Sequence, residues 1–305
     1  MKHVRTLYDL STDDIHAIIE RSLDLKRRLS GGERAPMLTG RNLALLFEKP
    51  SLRTRVSFEA GMTQLGGGTS FLSTQDAGLH GREALKDVAR VLSSFVDVVA
   101  MRTFSQQLIA DFAANSSCPV VNALSDELHP CQVLTDLLTL TEVFGDVAGR
   151  KLVYVGDGNN IARSLAIGSA RVGASLTICT PPTFAVDDAF LADIRRRIPT
   201  ADVTTTTDPA TAVKQADVVY TDVWASMGQE AEAAARRQAF APYQVNAQLL
   251  GLAPAGCRFM HDLPAHRGEE VTDDVIDGPA SLAFQQAENR MHLAKGLLAW
   301  LLDAS

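Results

Sequence analysis

Phe47-Glu48-Lys49-Pro50-Ser51-Leu52-Arg53-Thr54-Arg55-Val56-Ser57-Phe58-Glu59 is the stretch on which this chain turns. Leu43 to Phe47 reads as an apolar strand that breaks at Pro50, and a helix follows with Val56, Met62 and Leu65 as apolar positions. Two hydroxyls and two guanidinia therefore stand where a helix begins. The unpaired N–H groups and positive end of a helix attract anions. Arginine adds forked donors that match a phosphate or carboxylate. Arg53 and Arg55 lie roughly 200° apart around a helix, so one can face an anion while the other pairs within the protein. A solvated cap that binds nothing is the competing reading of the same residues.

The chain of 305 residues suits two α/β domains of ordinary size. Its net charge of −7 argues against a nucleic-acid partner, yet leaves room for a local basic pocket. Four cysteines without a C-x-x-C pair indicate neither a disulfide framework nor a zinc cluster, so no metal is expected. Met1 to Leu10 lacks an apolar leader and no run of 18 apolar residues occurs. A cytoplasmic protein without a membrane partner is the expectation.

Outward from the opening stretch, strands and helices alternate. Helix Ser11 to Leu29 starts with a possible capping box of Ser11 and Asp14. Strands are expected at Leu43 to Phe47, Ser70 to Leu72, Val98 to Met101 and Val120 to Asn122, with helices at Glu83 to Phe95 and Val133 to Phe144. After a turn at Gly145 to Arg150, strands follow at Leu152 to Val155, Ser175 to Cys179, Asp202 to Thr206, Asp217 to Thr221 and Arg258 to His261. Helices fall between them at Ile161 to Val172, Asp187 to Arg197 and Ala210 to Gln215, and a long one closes the chain from Ser281 to Leu302. Alternation predicts two doubly wound α/β domains with central parallel sheets. Residues 1–145 with the final helix, 281–305, form the first, and 146–280 form the second.

Such sheets hold ligands at the carboxyl ends of their strands. The rule selects Ser51 to Arg55, Arg102, His129 to Gln132, Asp157 to Asn160, and Asp222 to Gly228 with His261 onward. Each admits a bland reading: Arg102 as one surface cation, His129 as a capping residue of a turn. A metal pair of His129 and Cys131 lacks further ligands to complete four positions. Val155-Gly156-Asp157-Gly158-Asn159-Asn160 follows a strand and opens a helix, but Ile161 occupies the place of a third glycine. No acidic residue ends the next strand at Cys179, so no nicotinamide cofactor is expected. A loop offering amides to a small ligand fits better.

Five motifs in this order resemble the aspartate/ornithine carbamoyltransferase family over nearly the whole chain. They are Phe47 to Arg55, His129-Pro130-Cys131-Gln132, Asp222-Val223-Trp224-Ala225-Ser226-Met227-Gly228, His261-Asp262-Leu263-Pro264 and Ala287-Glu288-Asn289-Arg290-Met291-His292. The Ser-Met-Gly loop is characteristic of the ornithine branch. The resemblance implies an N-terminal domain binding carbamoyl phosphate, a C-terminal domain binding the amino acid, and a final helix packed back on the first domain. It implies a homotrimer or a multiple of one, no cofactor, and transfer of the carbamoyl group to the side-chain amine of L-ornithine, giving L-citrulline and phosphate.

Carried over by motif, Ser51, Leu52, Arg53, Thr54 and Arg102 would hold the phosphate. His129, Pro130, Cys131 and Gln132 would hold the carbamoyl group, and Arg290 would reach in from the last helix. Asp262 and Leu263 are carried over as carbamoyl-phosphate contacts too, and Arg102, His129 and Asp262 as catalytic. Asn160, Asp222, Ser226 and Met227 would hold ornithine. His80 is a candidate for the residue that a neighbouring subunit lends to the site.

The chemistry asks for these residue types: cations for phosphate and donors for a developing oxyanion, with no covalent intermediate. The amine is the harder demand, since an alkyl ammonium with pKa of about 10.4 is neutral in only about one molecule in 2,500 at pH 7. At this point the chain departs from its relatives. The ornithine branch generally carries cysteine where Asp262 stands. A carboxylate there both attracts the ammonium form and offers a general base. Cys257 is a poor substitute, since five residues along a strand put it on the opposite side, roughly 16 Å away. Leu52 replaces the commoner threonine, a mild change if that position offers its backbone N–H. Two alternatives remain: a carbamoyltransferase for another amine, such as putrescine or an N-acylated ornithine, and a non-catalytic carbamoyl-phosphate-binding regulator.

Overall fold

The computed structural model describes residues 2–73, 76, 83–225 and 230–303. His80, Ser226 and Met227 lie outside the described residues. The chain divides into two compact units, Met1–Leu138 with Glu288–Ser305 and Thr139–Ala287.

In the first unit, α1 (Thr12–Ser30) begins at Ser11, whose side chain accepts from the Asp14 amide while Asp14 reciprocates, completing the capping box. Then come β1 (Asn42–Phe47), α2 (Leu52–Gln64), β2 (Gly68–Ser73), α3 (Leu85–Phe95), β3 (Val98–Arg102), α4 (Gln106–Asn115), β4 (Val120–Leu124) and α5 (Pro130–Phe144). The strands form one parallel sheet in the order β2-β1-β3-β4. Near Val4 the chain extends its β4 edge, donating to Val120 O at 2.8 Å and accepting from Asn122 N at 2.7 Å. Leu43 to Phe47 are all buried, as a central strand covered on both faces requires. Helix α4, which the sequence reading passes over, packs Ile109, Phe112 and Ala113 into a core with Val99, Met101 and Val120.

The second unit runs β5 (Lys151–Val155), α6 (Asn160–Val172), β6 (Ser175–Cys179), α7 (Asp188–Arg197), β7 (Val203–Thr206), α8 (Pro209–Ala212), β8 (Val218–Thr221), α9 (Ala233–Phe240), α10 (Ala247–Leu250), β9 (Arg258–His261) and α11 (Asp273–Ile276). Its parallel sheet has the order β7-β6-β5-β8-β9. Trp224, Phe240, Tyr243 and Phe259 fill its core beside the short helices. Helix α12 (Ala283–Leu301) closes the chain, and from Glu288 onward it belongs to the first unit. Among the described residues no helix is long and apolar enough to cross a membrane.

Strand order decides where ligands can sit. β1 has β2 on one side and β3 on the other, and β5 likewise separates β6 from β8. The connections leave in opposite directions at these two places, opening a crevice beyond the strand ends. The ends of β1 and β3 carry Glu48 to Arg55 and Arg102; those of β5 and β8 carry Gly156 to Asn160 and Asp222.

Candidate active site

In the first unit, the candidate residues gather at the start of α2. Ser51 is the N-cap: its Oγ accepts from Thr54 N at 3.2 Å and donates to Thr54 Oγ1 at 3.0 Å. The first intrahelical bond runs from Arg55 N to Ser51 O, so the amides of Leu52 and Arg53 precede it, as an anion site requires. The Leu52 side chain is 75% exposed, leaving its backbone as the part that faces inward chemistry. Arg55 is bound within the protein, donating to Glu59 Oε1 at 2.9 Å and lying 3.8 Å over the Phe71 ring. Arg53 is half-buried and has no hydrogen bond or ion pair among the described residues.

Arg290, from α12, ties this turn to α5. One guanidinium nitrogen donates to Thr54 Oγ1 at 2.8 Å and another to Gln132 Oε1 at 2.6 Å. Gln132 in turn donates to Asp136 Oδ1 at 2.9 Å, and all of Thr54, Gln132 and Asp136 are buried. A cavity of about 10 Å³, the size of one water, lies among Thr54, Cys131, Thr135 and Arg290. Arg102 ends β3 paired in register with Phe47, and its carbonyl accepts from Glu48 N at 2.8 Å. Its guanidinium is buried as well, at 7% exposure.

His129 precedes α5 and receives the Gln132 and Val133 amides on its carbonyl. Burial holds its imidazole well below the usual histidine pKa, and the Arg290 and Arg102 charges press in the same direction. A neutral imidazole among cations is a hydrogen-bond partner rather than a charge. Cys131 donates from Sγ to Asn122 O at 3.3 Å, and burial pushes its thiol up to about 12. Its side chain is thus engaged within the fold.

The second unit collects a set of its own. Asn159 caps α6 by accepting from Ile161 N at 3.0 Å and Ala162 N at 3.2 Å, and it donates to Asp222 Oδ2 at 2.7 Å. Asp222 also accepts from Val223 N at 2.7 Å. Tyr154 donates to Asn159 Oδ1 at 3.3 Å; burial raises its phenol well above the usual value, and Asp222, Asp157 and Asp262 add to the rise. His261, Asp222 and Asp262 bring one ligand atom each within 4.8 Å of one another. Asp262 and Leu263 thus stand with Asp222 in the second unit. Cys257 is buried in this unit's core, its thiol pushed up to about 11 by desolvation.

Several contributors were not legible in the chain. Lys49 is buried, paired with Asp126 and 4.3 Å over the Phe104 ring. Arg236 donates to Asp157 Oδ2 at 2.7 Å and Trp224 O at 2.9 Å, joining the loop after β5 to the one after β8. Asn159 had a local signal, an asparagine one place before a helix start. Arg236 had none, since its partner is 79 residues away.

Residues 2–142 match the carbamoyl-phosphate-binding domain of aspartate/ornithine carbamoyltransferases, and residues 148–301 their Asp/Orn-binding domain. The ornithine carbamoyltransferase of Bacillus subtilis is 48% identical over 303 residues, covering 99% of this chain and 94% of that one. That of Pyrococcus abyssi is 47% identical over 298 residues, 97% of this chain and 94% of that one. The solved ornithine carbamoyltransferase of Pyrococcus furiosus superposes with a TM-score of 0.95 at 45% identity, covering 99% and 97% of the two chains. Motifs, parallel sheets and full-length similarity agree: this chain belongs to the aspartate/ornithine carbamoyltransferase family.

Proposed function

We propose that this chain is an ornithine carbamoyltransferase, moving the carbamoyl group of carbamoyl phosphate to the side-chain amine of L-ornithine and releasing L-citrulline and phosphate. One observation carries the reading. Arg290 spans Thr54 and Gln132 at a capped helix start, with a neutral buried His129 pressed by the charges of Arg290 and Arg102. This is a receptor for a small phosphorylated carbonyl compound.

Residues 1–145 with 281–305 act as the carbamoyl-phosphate domain, and 146–280 as the ornithine domain. The α2 amides, Ser51 Oγ, Arg53 and Arg102 hold the phosphate dianion. Arg102, His129 and Thr54 donate to the carbonyl oxygen and stabilise the charge that grows there. Pro130, Cys131 and Gln132 shape the carbamoyl pocket. Asn160, Asp222, Ser226 and Met227 hold the backbone groups of ornithine, while Asp262 and Leu263 line the reacting end.

Asp262 takes the first proton from the ammonium, leaving a lone pair to form the N–C bond. As the tetrahedral intermediate collapses, the C–O bond breaks and its electron pair leaves with phosphate, which accepts the second amine proton. Leu52, Val56, Phe71, Val91 and Phe95 are large apolar side chains exposed on the first unit. Covering them against copies of the same chain fits a homotrimer or a multiple of one. All four cysteines are free and buried, which suits a cytoplasmic setting.

Asp262 favours one further reading, a different amine acceptor, because the branch residue at this position is neutral. Purified protein assayed with carbamoyl phosphate and ornithine, putrescine, N-acetylornithine or aspartate decides between them. Citrulline formation is the expected result. Product from putrescine but none from ornithine overturns it, and tight carbamoyl phosphate binding without any turnover assigns the chain to regulation.

A further inference from the structure

Strand β9 ends at His261, whose imidazole and its partner Glu270 are both completely buried. His261 Nε2 lies 3.1 Å from Glu270 Oε1, and the Leu263 amide donates to Nδ1 at 2.9 Å. A ring nitrogen that accepts an N–H carries no proton, so this geometry puts the imidazole proton on Nε2, directed at Glu270. The same carboxylate oxygen accepts from His266 N at 2.6 Å. Behind them, His261 N donates to Gln286 Oε1 at 3.0 Å, and Gln286 Nε2 donates to Tyr220 OH at 3.0 Å.

One carboxylate therefore closes the 262–266 turn at both ends, through His261 at Leu263 and directly at His266. Leu263 has φ of 58°, a left-handed conformation that a side-chain-bearing residue keeps only when its surroundings hold it. Asp262 Oδ1 is 3.7 Å from His261 Nδ1, which already accepts the Leu263 amide. The imidazole thus governs Asp262 through the backbone rather than by a bond to its carboxylate. Stability alone does not call for this arrangement, since a buried charged group is often no better than an apolar replacement.

We propose that Glu270 is a positioning residue for carbamoyl transfer: by fixing the tautomer and orientation of His261, it holds the Asp262–Leu263 turn in its working conformation. The proposal rests on the reading of Asp262 as proton acceptor. Glu270→Ala removes both contacts. Glu270→Gln keeps an oxygen able to accept from His261 Nε2 and His266 N, so it is the rescuing variant.

Steady-state kinetics of the full-length enzyme with carbamoyl phosphate and ornithine provide the test, together with ¹⁵N spectra of histidine-labelled protein. Glu270→Ala should lower kcat at least tenfold with KM for carbamoyl phosphate within about twofold, and Glu270→Gln should restore most of it. The His261 signals should show the Nε2–H tautomer in wild type and Glu270→Gln but not in Glu270→Ala. Combined with Asp262→Asn, Glu270→Ala should add little further loss, because both act on one group. If Glu270→Ala does not fold, Glu270→Asp, which retracts the carboxylate by one methylene, should show the same fall in kcat. A slow Asp262→Asn enzyme alongside full kcat in the Glu270 variants, or additive losses in the double variant, overturns the positioning role. Full rate in Asp262→Asn instead overturns the reading of Asp262 beneath it.

Discussion

Arg290 Nη2 donates to Thr54 Oγ1 at 2.8 Å although the residues are 236 positions apart. With the second bond to Gln132 at 2.6 Å, the guanidinium spaces the α2 turn from α5. Lysine keeps the charge but cannot make both bonds at this geometry. Arg290→Lys should raise KM for carbamoyl phosphate about tenfold or more, the equivalent of roughly 1.4 kcal/mol, with KM for ornithine nearly unchanged. An unaltered carbamoyl phosphate KM would remove Arg290 from that pocket.

His129 makes stability depend on pH. The native imidazole resists protonation because it is buried and faces Arg290 and Arg102. The unfolded chain takes up that proton near pH 6.5, so the unfolded state gains on the native one as pH falls below that value. The contribution is full above about pH 6.5 and declines below it. Urea unfolding between pH 5 and 7.5 should show His129→Asn losing stability less steeply than wild type, by up to about 1.4 kcal/mol per pH unit. Parallel curves would contradict a neutral native His129.

Asp262 shares its end of the second sheet with Asp222, the nearest ligand atoms lying within 4.8 Å. The Val223 amide and Asn159 both donate to Asp222, and the proposed mechanism gives the amine proton to Asp262. Asp262→Asn should lower kcat about 100-fold or more, the range of a general base, while equilibrium binding of carbamoyl phosphate stays near wild type. A variant at full speed would leave the amine to another acceptor.

Two glycines in the first unit should respond in opposite directions to one added methyl. At Gly296 a Cβ would meet Ser22 Oγ at 2.0 Å and Ile18 O at 2.8 Å, because α12 crosses α1 there in close contact. At Gly61 the nearest atom, Lys295 Cγ, is 3.4 Å away. Gly296→Ala should destabilise by roughly 3 kcal/mol or more through overpacking. Gly61→Ala should stabilise by about 1 kcal/mol through helix propensity. Thermal melts of both variants read the two signs directly.

The thiols should be silent in the native enzyme. Burial pushes Cys131 and Cys179 up to about 12 and Cys257 to about 11, and Cys118 is raised by burial too. At pH 8 a disulfide-based thiol reagent should label almost nothing until denaturant is added, when four thiols should appear. Prompt labelling of one thiol in native buffer would show a cleft opening onto it.

Local physics was open to reading in the chain. Ser51 caps Thr54, Ser11 pairs with Asp14, and Arg55 turns to Glu59, each within four residues, because helix starts and i,i+4 pairs depend only on nearby neighbours. The apolar runs of β1, β3, β5 and β8 announced buried parallel strands for the same reason. Fold class and family followed from those patterns and their order.

Tertiary structure decided what local pattern cannot reach. Which strand lies beside β1 or β5 depends on crossovers, and those crossovers bring Arg102 beside Phe47 at the end of β1 and Asp222 onto Asn159. Asp157 found Arg236, Thr54 found Arg290, and Glu270 settled the proton of His261 only once the sheets were assembled. Burial completed the assignment, since removing water from His129 and Cys131 set their protonation. The sequence alone determined which chemical groups this protein has; packing and desolvation determined which of them meet and which carry charge.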